Sequence, residues 1–133
     1  MKDYRFFFCL TFIIFFFNCN YKLQNEGLTH VSPKEFKSLI DNKQVQLIDV
    51  RKPAEYAQGH IRNAANIDYF SEDFIDSIGN LNIKKPVFIY CRSGKRSEKS
   101  IKFFKEVGFV EIYNLQGGLL NWESNNFILH NNN

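Results

Sequence analysis

Cysteine is scarce in this chain. The three, Cys9, Cys19 and Cys91, fit no C-x2-C or related spacing, which excludes a zinc knuckle, and no other motif asks for a metal or an organic cofactor. Long blocks of like charge are also missing. The formal net charge is only +3 and there is no basic tail, so charge patterning gives nucleic-acid binding no support. No apolar run reaches the roughly 20 residues of a membrane-spanning helix. Internal repeats are absent, and the single low-complexity stretch is the asparagine end of the chain. At 133 residues there is room for one domain, and the 44% hydrophobic share suffices for its core.

The longest apolar run lies at the N-terminus. Lys2 and Arg5 precede Phe6 to Phe17, matching the basic and apolar regions of a secretory signal. No A-x-A-like site follows. The run instead ends at Asn18-Cys19, which resembles a bacterial lipoprotein signal whose cysteine is acylated. Bulky Phe16 and Phe17 stand where small residues are usual. Residues 1–18 are therefore expected to be a signal peptide and Cys19 the lipidation site, with residues 19–27 a tether. The mature chain would be an exported lipoprotein, anchored to a membrane and facing the periplasm or the cell exterior. An uncleaved anchor and a soluble periplasmic protein are the alternatives. Cys91 would then be the remaining free thiol.

From Leu28 onward, strand and helix signals alternate. Leu28 to Val31 reads as a short strand. Ser32-Pro33-Lys34-Glu35 has the spacing of a capping box with proline at the first helical position, and Phe36, Leu39 and Ile40 form the apolar stripe. Val45 to Val50 reads as a buried strand ending in Asp49-Val50-Arg51, and Pro53 opens a short helix. Gly59-His60-Ile61 is a turn, in which His60 has no need to act as a base. Ala64 to Asp68 is a short strand, followed by a helix over Ser71 to Ile78 with Phe74, Ile75 and Ile78 inward. Val87 to Tyr90 is a continuous apolar strand. A helix over Ser97 to Val107 buries Ile101, Phe104 and Val107 and stops at Gly108. Val110 to Asn114 is the last strand, and Gly117-Gly118 leads into a helix over Leu119 to Trp122. Trp122 is read as core, and the chain from His130 to Asn133 as a frayed tail. This order predicts an α/β fold, a small parallel sheet with helices on both faces.

The chemistry gathers where the strand Val87 to Tyr90 ends. Cys91 is delivered into the turn Arg92-Ser93-Gly94-Lys95-Arg96, which leads toward a helix. Backbone N–H groups, a helix N-terminus and nearby cations favour a thiolate over a thiol. Asp49 and Arg51, at the end of another buried strand, stand where open α/β sheets place their sites. They read first as a strand-end ion pair holding the next turn, with ordering of the cysteine loop as the alternative.

Four stretches carry a resemblance: LIDVR at Leu47 to Arg51, GHI at Gly59 to Ile61, YCRSGKRS at Tyr90 to Ser97 and LQGGLLNW at Leu115 to Trp122. In order and at these separations they resemble a single-domain rhodanese, a sulfurtransferase, over residues 28–129. The resemblance implies that Cys91 is the nucleophile. It would take a sulfane sulfur from a small anionic donor such as thiosulfate and pass it from a persulfide to cyanide or a thiol. Arg92, Ser93, Gly94, Lys95 and Arg96 would bind that substrate. Two other readings stand beside it. A phosphatase or arsenate reductase of the same fold uses a Cys-x5-Arg loop, but here Arg96 comes one residue early and Ser97 takes the sixth position. A noncatalytic envelope module would keep the loop without turnover. Gly117 and Gly118 resemble a phosphate loop only superficially; close packing or a turn with positive φ explains them.

Overall fold

The computed structural model describes residues 27–41 and 43–131. The expected signal peptide, Cys19 and nearly all of the tether lie outside the described residues, as do Asn132 and Asn133. Among the described residues no helix is long and apolar enough to cross a membrane.

Five strands, β1 (Leu28–Val31), β2 (Gln46–Asp49), β3 (Ala65–Asn66), β4 (Val87–Tyr90) and β5 (Ile112–Leu115), form one sheet in the order β1-β5-β4-β2-β3. Every pairing is parallel, as the continuous apolar runs of β2 and β4 require. The helices among the described residues are α1 (Pro33–Asp41), α2 (Pro53–Ala57), α3 (Phe74–Gly79), α4 (Lys95–Glu106) and α5 (Gly118–Ser124).

The two-residue period of a strand divides the core between the faces. Val87, Ile89 and Cys91 point to one side, where Phe74 and Ile78 of α3 and Ile101 and Phe104 of α4 cover them. Phe88 and Tyr90 point to the other, against Phe36 of α1 and Leu119 and Trp122 of α5. Phe36 sits edge-on to both Phe88 and Trp122, at 5.6 and 6.4 Å between centroids, so three elements meet on one ring. Ser32 caps α1 through the Glu35 N–H at 3.4 Å.

β2 and β4 are neighbours, yet the chain leaves β2 toward β3 on one side and leaves β4 toward β5 on the other. That reversal opens a crevice beyond the carboxyl ends of the two strands, the place where such sheets put their sites. Asp49 and Cys91 stand there.

Four local expectations change. Ile75 is 46% exposed, because α3 begins only at Phe74 and a helix this short turns a single face, Phe74 and Ile78, to the core. Val110 is 68% exposed, and Phe109 is buried instead. β5 therefore starts two residues later, where the Ile112 N–H reaches Gly27 O at 2.7 Å. α4 starts earlier than Ser97, at Lys95, because Gly94 adopts φ 92° and serves as its N-cap. His130 does not fray: it exchanges both backbone hydrogen bonds with His60, at 2.9 and 2.8 Å.

Candidate active site

Cys91 is 1% exposed and directly follows the central strand. Its Sγ accepts the N–H of Gly94 at 3.1 Å. The left-handed turn at Gly94 is what folds that amide back onto the sulfur, and it starts α4 at the same point. The Ser97 hydroxyl, buried in the first turn of α4, lies 3.6 Å from Sγ and 3.1 Å from Gly94 O. One hydroxyl proton serves one acceptor at a time, so Ser97 is a donor in reserve beside the sulfur.

The loop is held from beneath by α5. Leu119 N–H donates to Cys91 O at 2.9 Å and Leu120 N–H to Arg92 O at 3.0 Å. These are two of the amides that a helix start leaves unpaired. Gly117 and Gly118 both have positive φ, 76° and 59°, and a Cβ on Gly118 would fall 2.5 Å from Cys91 O. The glycine pair is thus both a left-handed turn and a close approach.

Beside the loop, Asp49 is fully buried and bound to Arg51. Arg51 Nη2 donates to Oδ2 at 2.7 Å, Nε reaches both carboxylate oxygens at 3.0 Å, and the Arg51 N–H adds a bond at 2.9 Å. Nη2 also donates to Gly59 O at 2.7 Å. Burial alone would lower the Arg51 pKa, but the hydrogen bond and charge of Asp49 outweigh it and the net direction is upward. Arg51 therefore stays charged, and the pair ties β2 to the turn at Gly59. Burial, reinforced by the Asp49 charge, pushes the Tyr90 phenol far above its ordinary range. As a neutral hydroxyl it accepts the Ile61 N–H at 3.1 Å. Asp49 and Arg51 make the strand-end ion pair; neither has a hydrogen bond to the cysteine loop among the described residues, although Arg51 and Arg92 line one cleft of about 210 Å³.

The expected substrate-binding residues separate into two groups. Arg92, Ser93 and Lys95 are exposed. Arg96 is half-buried and engaged: Nη1 and Nη2 donate to the two carboxylate oxygens of Glu55 at 2.6 and 2.7 Å. Glu55 was not among the expected site residues, nor was Ser97. The signal for Glu55 is its third position in a proline-opened helix, where its carboxylate also accepts the Lys52 N–H at 3.2 Å. For Ser97 it is the first helical turn after the cysteine.

The hydrogen bond from Arg96, ahead of its charge, lowers the Glu55 pKa from its ordinary 4.5 to about 2. A depressed carboxylate contributes stability that is complete above its unfolded value and lost as pH falls through the folded one. Glu55→Gln is accordingly expected to lower stability at pH 7 by about 1 kcal/mol, solvent screening considered. Equilibrium unfolding should show that difference closing between pH 4.5 and about 2.

The chain matches the Rhodanese-like domain family over residues 32–125. It is 34% identical over 103 residues to the tRNA uridine(34) hydroxylase of Pelagibacter ubique, covering 77% of this chain and 34% of that protein. The chain thus spans about a third of the length of the hydroxylases it matches. With the thiosulfate sulfurtransferase GlpE of Pseudomonas paraeruginosa it shares 32% identity over 100 residues, 75% of this chain and 88% of that one. The crystal structure of a rhodanese-like domain protein from Staphylococcus aureus superimposes with a TM-score of 0.66 at 29% identity, covering 79% of this chain and 99% of the other. With its parallel sheet, its cysteine loop and this family match, the chain belongs to the rhodanese-like domain family.

Proposed function

We propose that this chain is a sulfurtransferase that carries a sulfane sulfur on Cys91. The observation that carries the reading is the loop itself. A nearly enclosed sulfur receives the Gly94 N–H, with the Ser97 hydroxyl alongside, at the N-terminus of α4 and close in the chain to the exposed cations Arg92 and Lys95. Such a cradle suits an anionic sulfur.

In the first half-reaction the Cys91 thiolate attacks the outer sulfur of thiosulfate. The new Cys91 S–S bond forms as the donor S–S bond breaks, and sulfite leaves with the bonding pair. The persulfide that results carries its negative charge on the outer sulfur, where the loop amides and Ser97 can meet it. In the second half-reaction cyanide or a thiolate attacks that sulfur, and Cys91 departs as the thiolate. The two steps are group transfers that balance without an added oxidant or reductant.

Arg96 argues against the phosphatase and arsenate reductase reading. A loop that encircles a tetrahedral oxyanion needs its arginine fork free, and both Nη atoms of Arg96 are on Glu55. The GlpE similarity spans most of that protein and supports sulfur transfer. The hydroxylase similarity covers about a third of those proteins and brings no hydroxylation with it.

Peptide mass spectrometry after thiosulfate treatment tests the proposal. Cys91 is expected to gain the mass of one sulfur atom and to lose it on addition of cyanide, with thiocyanate released in equal amount. No added sulfur would refute transfer and leave the binding-module reading standing.

A further inference from the structure

Arg96, in the first turn of α4, is a cation whose donor fork is already occupied. Glu55 reaches it from α2 in a two-point contact at 2.6 and 2.7 Å, and the side chains are only 21% and 29% exposed. The Arg96 charge senses both Cys91 and Asp49. Charge at the cysteine loop comes from four places: Arg92 of the loop itself, Lys95 and Arg96 in the first turn of α4, Glu55 of α2, and the Asp49–Arg51 pair at the end of β2. Asp49 and Arg51 cancel, and Glu55 cancels Arg96. Arg92 and Lys95 are exposed and have no ion pair among the described residues.

We propose that Glu55 is a positioning residue that sets the charge of the cysteine mouth. By filling the Arg96 fork it leaves the loop with the net pull of Arg92 and Lys95 alone, and so limits how tightly anions are held there. The inference deepens the sulfur-transfer reading and takes its consequence from it. Thiosulfate enters as a dianion and sulfite must leave, so a mouth with one more free cation would bind both more tightly. Glu55 trades donor affinity for product release.

The test compares two alkylating probes of nearly equal size, anionic iodoacetate and neutral iodoacetamide, on the full chain, with Cys91 followed by peptide mass spectrometry. The ratio of their rates cancels both the access to the sulfur and its thiolate fraction, and reports the local charge. Glu55→Gln is expected to raise the iodoacetate-to-iodoacetamide ratio about three- to tenfold at low salt, the gain vanishing near 1 M salt. Arg96→Gln, which leaves the carboxylate uncompensated, should lower the ratio below that of the wild type. The double variant should return to it, and Glu55→Asp should stay close to it. In turnover, Glu55→Gln should lower KM for thiosulfate and strengthen inhibition by sulfite by similar factors. A ratio unchanged in Glu55→Gln, with both rates moving together, would show a purely structural clamp and overturn the proposal. A double variant that keeps the full gain of Glu55→Gln over the wild type would overturn it as well. Should no variant form thiocyanate, sulfur transfer fails as a reading, while the alkylation ratios still decide the role of Glu55.

Discussion

Replacing Cys91 with Ser is expected to abolish thiocyanate formation from thiosulfate and cyanide, a fall of at least about three orders of magnitude, and to leave the fold in place. The substitution exchanges one atom at a position 1% exposed. Serine Oγ can still accept the Gly94 N–H that now meets Sγ at 3.1 Å, and the carbonyl anchors from Leu119 and Leu120 to the loop are main-chain bonds that no side-chain change removes. Stability should therefore move by no more than about 1–2 kcal/mol, as thermal unfolding would show. What is lost is chemical. An alcohol does not ionise at neutral pH, and an oxygen in that place cannot form the sulfur–sulfur bond that stores the transferred atom. Equal rates in the two proteins would remove Cys91 from the reaction, whatever its setting. A Cys91→Ser protein that is inactive but also unfolded would be distinguished by its unfolding curve.

Much of the frame was legible because it rests on local patterns. The run Val87 to Tyr90 announces a strand buried on both faces, and the structure covers one face with α4 and the other with α1 and α5. Ser32-Pro33 announces a helix start, and the glycine pair announces a turn that no side chain would tolerate. The cysteine, its basic flank and the shorter loop were all readable, since they lie within seven consecutive residues, Cys91 to Ser97. The contacts that escaped link residues distant in sequence. Arg96 finds Glu55 across 41 positions, and nothing near Arg96 signals that its fork is filled. His130 finds His60 through main-chain bonds that carry no side-chain signature. Ile75 and Val110 failed for the opposite reason. An apolar residue at the margin of an element is exposed or buried according to where that element starts, and a start shifted by two or three residues reverses the outcome. The ion pair of Asp49 and Arg51 stood between. Its existence could be read from the strand end, but its total burial and its bond to Gly59 O depended on how the turn folds back.

Gly118→Ala should damage both the stability of this protein and its cysteine loop. Gly118 opens α5, whose next two amides hold the carbonyls of Cys91 and Arg92. The approach is so close that a Cβ would lie 2.5 Å from Cys91 O, 2.6 Å from Arg92 O and 2.7 Å from Arg92 C. These are main-chain atoms, unable to turn aside as a side-chain tip would. The φ of 59° adds the left-handed penalty of about 1–2 kcal/mol for a residue with a Cβ. Overpacking against rigid neighbours costs about 1–3 kcal/mol more, so a loss of about 2–5 kcal/mol is expected on denaturant unfolding. Gly79 provides the control. A Cβ there meets nothing within 4 Å, and Gly79→Ala at the end of α3 should be neutral or stabilise by up to about 1 kcal/mol. The activity loss follows from the same collision. To relieve it, either α5 withdraws and both carbonyls lose their donors, or the loop shifts and Sγ leaves the Gly94 N–H. Sulfur transfer should fall by about a hundredfold, what a displacement near 1 Å can cost a positioned group, even at temperatures where the variant remains folded. Full activity in a folded Gly118→Ala protein would mean that the cysteine loop keeps its shape without α5, and that its amides are held by α4 alone.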